Sequence, residues 1–419
     1  MTPPSSPRNI VVIGGGIAGV STAYFLSTHP QRSPSTRITI VEGTKIAAAA
    51  SGFSGGFLAK DWHGSSTASL SEFSYDLHAS LAEEFGGKEK WGYRTVETLV
   101  SDCDYWGLSF VDYRQPSTLF NWSSVKRPRS DLVLDTVFMS IETDATSMSK
   151  KESPLHWLPK GLVHSSRILG SHTTTAQVHP RLFTTFFSDK FLEQPSTSVV
   201  IGTVKSLNIE DGASKSIGLV SPEGEKTEIE ADVVVIAAGP WTGRLAGQLL
   251  GEKIGSRLGV QGHRAHSIIL KTKEELSATC LFTSMTLEDG SMGEPEVYAR
   301  PDGTTYICGA GDGVPLPPSA ADVSPSKSAL AKLHKQSQSL SPIFTVEKGA
   351  EVISEQACYL PIADRGRPLI GKVRGVEGIY VGSGLSCWGI TQGPGTGKVL
   401  SEMILEGKAR SADVSKLAP

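Results

Sequence analysis

Ile10-Val11-Val12-Ile13-Gly14-Gly15-Gly16-Ile17-Ala18-Gly19 is the stretch on which the reading of this chain turns. Residues 9–13 are an apolar β run, and residues 17–28 carry a helical pattern that stops before Pro30. Between them, Gly14 permits a tight turn, Gly16 leaves bare backbone for a pyrophosphate, and Gly19 lets the helix pack closely on the strand. The helix start, with Ile17 and Ala18 in its first turn, presents N–H groups and a positive dipole end. Residues 37–42, Arg-Ile-Thr-Ile-Val-Glu, form the second strand. Val41 and Glu42 end it and Gly43 follows, at the distance of about 20 residues where a carboxylate accepts hydrogen bonds from ribose hydroxyls. The pattern implies a dinucleotide with an unphosphorylated ribose. The alternative is a tight strand–helix turn with no ligand.

Working outward, 419 residues suggest about two or three domains. Charged residues are 20% and the formal net charge is -3, so no polyanionic partner such as nucleic acid is indicated. No window approaches the roughly 18 uncharged apolar residues of a membrane span. Met1 to Asn9 lacks the basic and apolar regions of a secretory signal. The 5 cysteines are scattered, which fits a reducing, cytoplasmic setting. Ser415-Lys416-Leu417 spells a peroxisomal address, but Ala418-Pro419 follow it, so that address is set aside. No His/Cys/Asp/Glu cluster has metal-ligand spacing.

The middle of the chain alternates. Helices are expected at 66–85, 180–193 and 326–338. Strands are expected at 199–209, 216–229, 258–271 and 295–310, with turns at Asp211-Gly212, Glu223-Gly224 and Pro301-Asp302-Gly303. Residues 115–153 read as a long polar surface loop. Two further backbone approaches stand out. Val233 to Ala237 is a fully apolar strand that runs into Ala238-Gly239, where open α/β sheets bind ligands. Near the end, a strand at 378–382 leads into Gly384-Leu385-Ser386-Cys387-Trp388-Gly389-Ile390-Thr391 and a helix over 394–407, with Pro394 suited to the first turn.

With these pieces the chain resembles the D-amino-acid oxidase/glycine oxidase/sarcosine oxidase superfamily of FAD-dependent oxidoreductases, and within it a fungal branch. The resemblance runs nearly end to end. It includes the initial fingerprint, Ser51-Gly52-Phe53-Ser54-Gly55-Gly56 with Phe57 beyond it, Thr174 to Pro180, and Ala238-Gly239-Pro240-Trp241. It continues through Asp364-x-x-Arg367-Pro368-Leu369-Ile370-Gly371 and the final glycine loop. It implies that the 51–57 turn lies against pyrophosphate and flavin, that Val204 lies near the adenine, and that Trp241 belongs to the cofactor site. The implied fold is α/β, α+β overall: a discontinuous Rossmann-type FAD-binding domain (1–90, 160–250 and 352–419) with an inserted antiparallel-sheet substrate domain (91–159 and 251–351).

The resemblance also implies a function. Such enzymes move a hydride from the carbon next to nitrogen to the flavin, with oxygen as the usual final acceptor, so the substrate is expected to be a small amine or amino-acid-like molecule. Two features depart from the family. The lysine that promotes oxygen reactivity in sarcosine oxidases aligns with Ile307. Cys358 lies one residue late for the covalent FAD link of those enzymes, so the FAD is expected to be non-covalent. Leu360 stands where amino-acid-oxidising relatives carry a carboxylate-binding arginine, and Arg300, Arg264 or Arg365 could substitute only from another direction. Glycine, sarcosine and D-alanine are therefore expected to be poor substrates. The catalytic candidates are His63, Arg300, Tyr359 and Trp388. His63 either faces the ring or is structural. Arg300, on one strand face with Tyr298, either roofs the flavin or is a solvated charge. A flavoprotein serving as a trafficking or assembly factor and an NAD-dependent dehydrogenase are the rival readings.

Overall fold

A computed structural model describes residues 9–104, 155–309 and 311–419. The loop expected over 115–153 lies outside the described residues. The apolar runs pair as their composition dictates, because strands buried on both faces read as continuous β-branched stretches. Asn9–Ile13, Arg37–Glu42, Thr197–Ile201, Val233–Ile236 and Ile379–Ser383 form a parallel sheet, and Leu369–Lys372 closes one edge antiparallel. Asn9–Ile13 is central: Ile13 pairs with Ile236 on one side and Val41 on the other. All three glycine-ended approaches thus leave the same sheet edge.

The second large sheet has eight strands. Its main path runs Glu351–Ala363, Val260–Lys271, Thr304–Cys308, Glu296–Ala299, Thr279–Thr286, Glu97–Asp104 and Val163–Gly170. It is antiparallel apart from the Thr279–Thr286/Glu97–Asp104 pair. The expected boundaries at 160 and 352 place Val163–Gly170 and Glu351–Ala363 in the nucleotide unit, but both strands pair into this second sheet. Their pairing partners are distant in sequence, and composition does not reveal them. One face of the sheet buries Ile268, Leu281, Val297 and Ile307 under Leu330 and Leu333 of the helix Lys327–Leu340. The other face lies over residues 53–55.

The long helix Gly389–Glu406 packs against Ile17–Ser27 and Ala68–Phe85. It starts at Gly389, so Pro394 sits inside it and not in the first turn. A proline there donates no N–H to the carbonyl four residues back, which is Ile390. His78 Nε2 donates to that carbonyl at 2.8 Å. Ser74 Oγ accepts from Gly395 N at 2.8 Å, and Gln392 Nε2 donates to Ser71 Oγ at 2.9 Å. Residues 71, 74 and 78 share one helix face, so one stripe of Ala68–Phe85 satisfies the groups around the proline. The C-terminal Ser415–Leu417 turn also packs inward: Leu417 is fully buried, and Arg365 donates to the carbonyls of Leu417 and Ala418. Among the described residues, no helix is long and apolar enough to cross a membrane.

Burial lowers the pKa of His78 to about 4, against the opposing effect of its bond to Ile390. The unfolded chain takes up this proton below about 6.5, and the folded one only near 4. Stability contributed by the neutral ring is therefore present above about pH 6.5 and lost as pH falls toward 4, by roughly 3 kcal/mol at most. Thermal melts across that window should show a falling midpoint, with a shallower fall in His78→Gln, which keeps a donor but no titration. An equal slope in both proteins would remove His78 from the account.

Candidate functional site

Where the central strands end, the backbone closes up tightly. A Cβ at Gly14, whose φ is +115°, would lie 2.3 Å from the Ala237 carbonyl oxygen, and one at Gly19 would lie 1.9 Å from the Gly14 oxygen. These two glycines are required by the protein's own packing. Gly16 is different. Its backbone is extended, at φ -80° and ψ 177°, and its nearest neighbour to a Cβ is Ser51 Oγ at 3.1 Å. No packed backbone demands glycine there, so the bare position faces space available to a ligand. Ser51 Oγ accepts from Ile17 N at 2.8 Å and so holds the helix start, with Ala18 and Gly19 behind it. Space is also open above Gly43 and Gly239.

Glu42 ends the second strand. Its Oε2 accepts from Gly15 N at 2.7 Å and its Oε1 from Thr44 N at 2.9 Å. The carboxylate is thus held at the lip of the fingerprint turn. Val41 and Val204 are buried together in one core with Ile13. Ala238 and Gly239 lead into Trp241, whose Nε1 donates to the Pro317 carbonyl at 2.8 Å.

The 51–57 turn lies beneath the second sheet. Gly52 and Gly56 press against the carbonyls of Ala47 and Val178, and Gly55 lies under the rings of Tyr298 and Tyr306. Register identifies the sheet face above it. Phe282, Glu296, Cys308, Ser267 and Gln356 form one cross-strand rung. Cys280, Tyr298, Tyr306 and Ile269 form the next. Gln356 Nε2 donates to Phe53 O and to Ser267 Oγ, each at 3.0 Å, fastening roof to turn. Tyr298 and Tyr306 stack 5.8 Å apart, and Tyr298 stacks on Phe57 at the same distance. Arg300 continues this face: its guanidinium lies 5.2 Å from the Tyr306 ring centroid and donates to Ser54 O at 3.3 Å. It is a half-buried roof cation, and desolvation lowers its pKa. Ser54 Oγ and Arg300 Nε are buried without hydrogen-bond partners. Two orphaned polar atoms beside the turn fit a polar ligand such as FAD, as does the bare backbone at Gly16.

The final loop closes one end. Trp388 precedes Gly389, the first helical residue, while Leu385 and Ile390 are buried in the core with Ile17. Thr391 Oγ1 lies 3.4 Å from both Phe57 O and Ala59 N. His63 meets Trp388 edge-on at 4.4 Å, and its Nε2 donates to Ala59 O at 2.9 Å. Burial lowers its pKa to about 4, opposed by that bond, so the ring is neutral near pH 7. Trp62 lies 6.3 Å from Trp388 and 5.7 Å from Phe282.

His63, Arg300 and Trp388 thus come together with the 51–57 turn, but Tyr359 does not. Strand alternation puts Tyr359 on the opposite face from Cys358 and Leu360, and its hydroxyl donates to Pro315 O at 2.9 Å. Ile307 also points away, into the core behind the roof, so Tyr306 and Cys308 are the residues its strand presents to the site. Leu360 is on the site face, adjacent to Ile362, which bridges to Leu385. Arg264 is committed to a two-oxygen pair with Asp312 at 2.8 and 2.6 Å, and Arg365 to the C-terminal carbonyls. Glu296 was not singled out by sequence. Its alternation with Tyr298 and Arg300 was the available signal.

Three comparisons bear on this geometry. The family described as "FAD dependent oxidoreductase" (DAO) matches residues 9–403. A Schizosaccharomyces pombe protein named by inference as an oxidoreductase is 34% identical over 432 residues, covering 99% of this chain and 98% of its own. Among solved structures, glycine oxidase from Bacillus cereus superposes with a TM-score of 0.69 at 18% identity, covering 98% of each chain. L-proline dehydrogenase from P. horikoshii gives 0.70 at 19%, covering 99% of this chain and 97% of that one. At such identities the superpositions show the fold alone.

The glycine geometry separates folding from binding. Gly14→Ala and Gly19→Ala should lower the thermal midpoint sharply or prevent folding. Gly16→Val should cost only about 1 kcal/mol as a poor helix cap, yet purify with little or no flavin. The flavin-to-protein absorbance ratio and a melting curve measure both. A folded, fully flavin-loaded Gly16→Val protein would contradict the assignment of that turn.

Proposed function

This chain belongs to the DAO family of FAD-dependent oxidoreductases, and we propose that it oxidises the C–N bond of a small amine or amino-acid-like substrate, with oxygen as the acceptor. The carrying observation is the pair of roof rungs, Glu296 with Cys308 and Tyr298 with Tyr306, on the sheet face that lies over the 51–57 turn. That is an aromatic lining beside the residues that would hold the cofactor. FAD, when bound, supplies the electron chemistry. The chain's own residues bind and orient the substrate and exclude water. The substrate loses a hydride from carbon and a proton from nitrogen, and the resulting imine is hydrolysed.

His63, Arg300 and Trp388 act in this reading as positioning groups. Neutral His63 holds Trp388 edge-on. Arg300 fixes the turn through Ser54 O. The start of the helix Gly389–Glu406 offers N–H groups and a positive dipole end to negative charge in the same space. All five cysteines are free thiols, in keeping with a reducing, cytoplasmic compartment.

The FAD is held without a covalent bond in this proposal. Cys358 is buried, and burial pushes its thiol up to about 12, which leaves little thiolate to attack a ring. Acid precipitation should leave the yellow colour in the supernatant. Colour retained in the pellet, and lost from a Cys358→Ala protein, would reverse this.

Leu360 offers no donor to a carboxylate on the site face, Arg264 and Arg365 are engaged elsewhere, and Arg300 is held against the Tyr306 ring and Ser54 O. Millimolar glycine, sarcosine and D-alanine should therefore reduce the flavin poorly under nitrogen, whereas an amine panel should contain compounds that bleach it. Bleaching by none of the amines would favour a flavoprotein without this activity. Rapid bleaching by the three amino acids would overturn the substrate reading.

A further inference from the structure

Among the described residues, Glu296 is an acid with no cation paired to it. It lies in the middle of the roof rung, half-buried, between Phe282 and Cys308. Its carboxylate accepts from the Tyr298 hydroxyl and from Cys308 Sγ, the latter at 3.4 Å. Among the described residues it takes part in no ion pair with a lysine, arginine or histidine. Arg300, the cation on the same face, is engaged with Tyr306 and Ser54 instead. A desolvated carboxylate without a countercharge is costly, and a cation that pairs with it offsets that cost.

The rings around it supply the second half of the argument. Phe57, Trp62 and Phe282 lie within 5.1 to 5.7 Å of one another, centroid to centroid. Phe282 lies 5.9 Å from Tyr298, and Trp62 lies 6.3 Å from Trp388. Aromatic faces attract cations through the ring quadrupole, and attract them most when water is excluded. A carboxylate set among such rings is complementary to an ammonium group and repels an anion.

We infer that Glu296, with the rings of Trp62, Phe282, Tyr298 and Trp388, recognises the ammonium group of a cationic amine substrate that carries no carboxylate beside its nitrogen. This rests on the amine-oxidising reading above and names the substrate class for it. Leu360 on the same face agrees, since it provides nothing for a carboxylate.

The titratable groups facing Glu296 are Tyr298, Cys308, Glu294, Cys280 and Cys387. Burial raises the pKa of Glu296, with Glu294 adding to it and the bonds from Tyr298 and Cys308 opposing. A carboxylate of raised basicity also accepts a proton more readily. When it takes one from the bound ammonium, an N–H bond breaks and an O–H bond forms, leaving a carboxylic acid and a neutral amine. The freed nitrogen lone pair then supports loss of hydride from the adjacent carbon.

The test reads binding to the flavin-loaded protein. Butylammonium, butyrate and butanol are titrated while tryptophan fluorescence and the flavin difference spectrum are followed. Butylammonium should bind tighter than butanol, and butyrate should bind worst. Glu296→Gln should weaken butylammonium at least tenfold at unchanged flavin content, and Glu296→Asp should restore most of the loss. Affinity should fall on acidification, once the carboxyl is protonated. Wild-type protein that binds butyrate as well as butylammonium would overturn the inference, and so would a Glu296→Gln protein with wild-type affinity. If Glu296→Gln does not fold, the wild-type order of the three ligands decides. Binding of the cation with no amine able to reduce the flavin would instead count against the proposed reaction alone.

Discussion

The contact on which the rest of the molecule depends is backbone on backbone: Gly14 against the Ala237 carbonyl, and Gly19 against Gly14. It brings the ends of Asn9–Ile13 and Val233–Ile236 together and sets the helix Ile17–Ser27 close above them. Only residues without a Cβ can occupy those positions. Once they do, the sheet edge, the helix start and the carboxylate of Glu42 converge. The space left at Gly16 is a consequence of that closure and is not itself needed for packing.

The second sheet works because its two faces have different tasks. Ile268, Leu281, Val297 and Ile307 bury behind it under the helix Lys327–Leu340 and hold it rigid. The alternate residues are then free to be chemically unusual. They include an acid, two stacked tyrosines and a roof arginine that packing alone would not select. Gln356 joins this face to the 51–57 turn, so the roof is held in register over the turn by direct hydrogen bonds. Burial around this space also explains why His63 stays neutral and why Cys358 stays a thiol.

The nucleotide half was legible because its signals are local. The fingerprint, Glu42 and the apolar strands each declare themselves within a few residues, and the family description over residues 9–403 agrees with them. The roof was less legible because a two-residue alternation gives two faces without saying which one looks inward. Tyr298 and Arg300 were grouped correctly on one face. Tyr359 and Ile307 were expected at the flavin and point away from that face, since their direction is set by pairing with Arg264 and with Ile268 and Val297, far away in the chain. Pro394 misled for a related reason. Its freed carbonyl partner is satisfied by His78, more than 300 residues earlier, and no local pattern announces such a partner. Glu296 was overlooked because one acid on a strand is ordinarily solvated.

The central claim is that these converging backbone approaches hold FAD. The visible absorption spectrum of the purified chain, read with the protein concentration, tests it most directly. The account predicts the two-band spectrum of oxidised flavin at stoichiometric occupancy, with released cofactor identified as FAD and not FMN. A folded, colourless protein that takes up no FAD on incubation would contradict it.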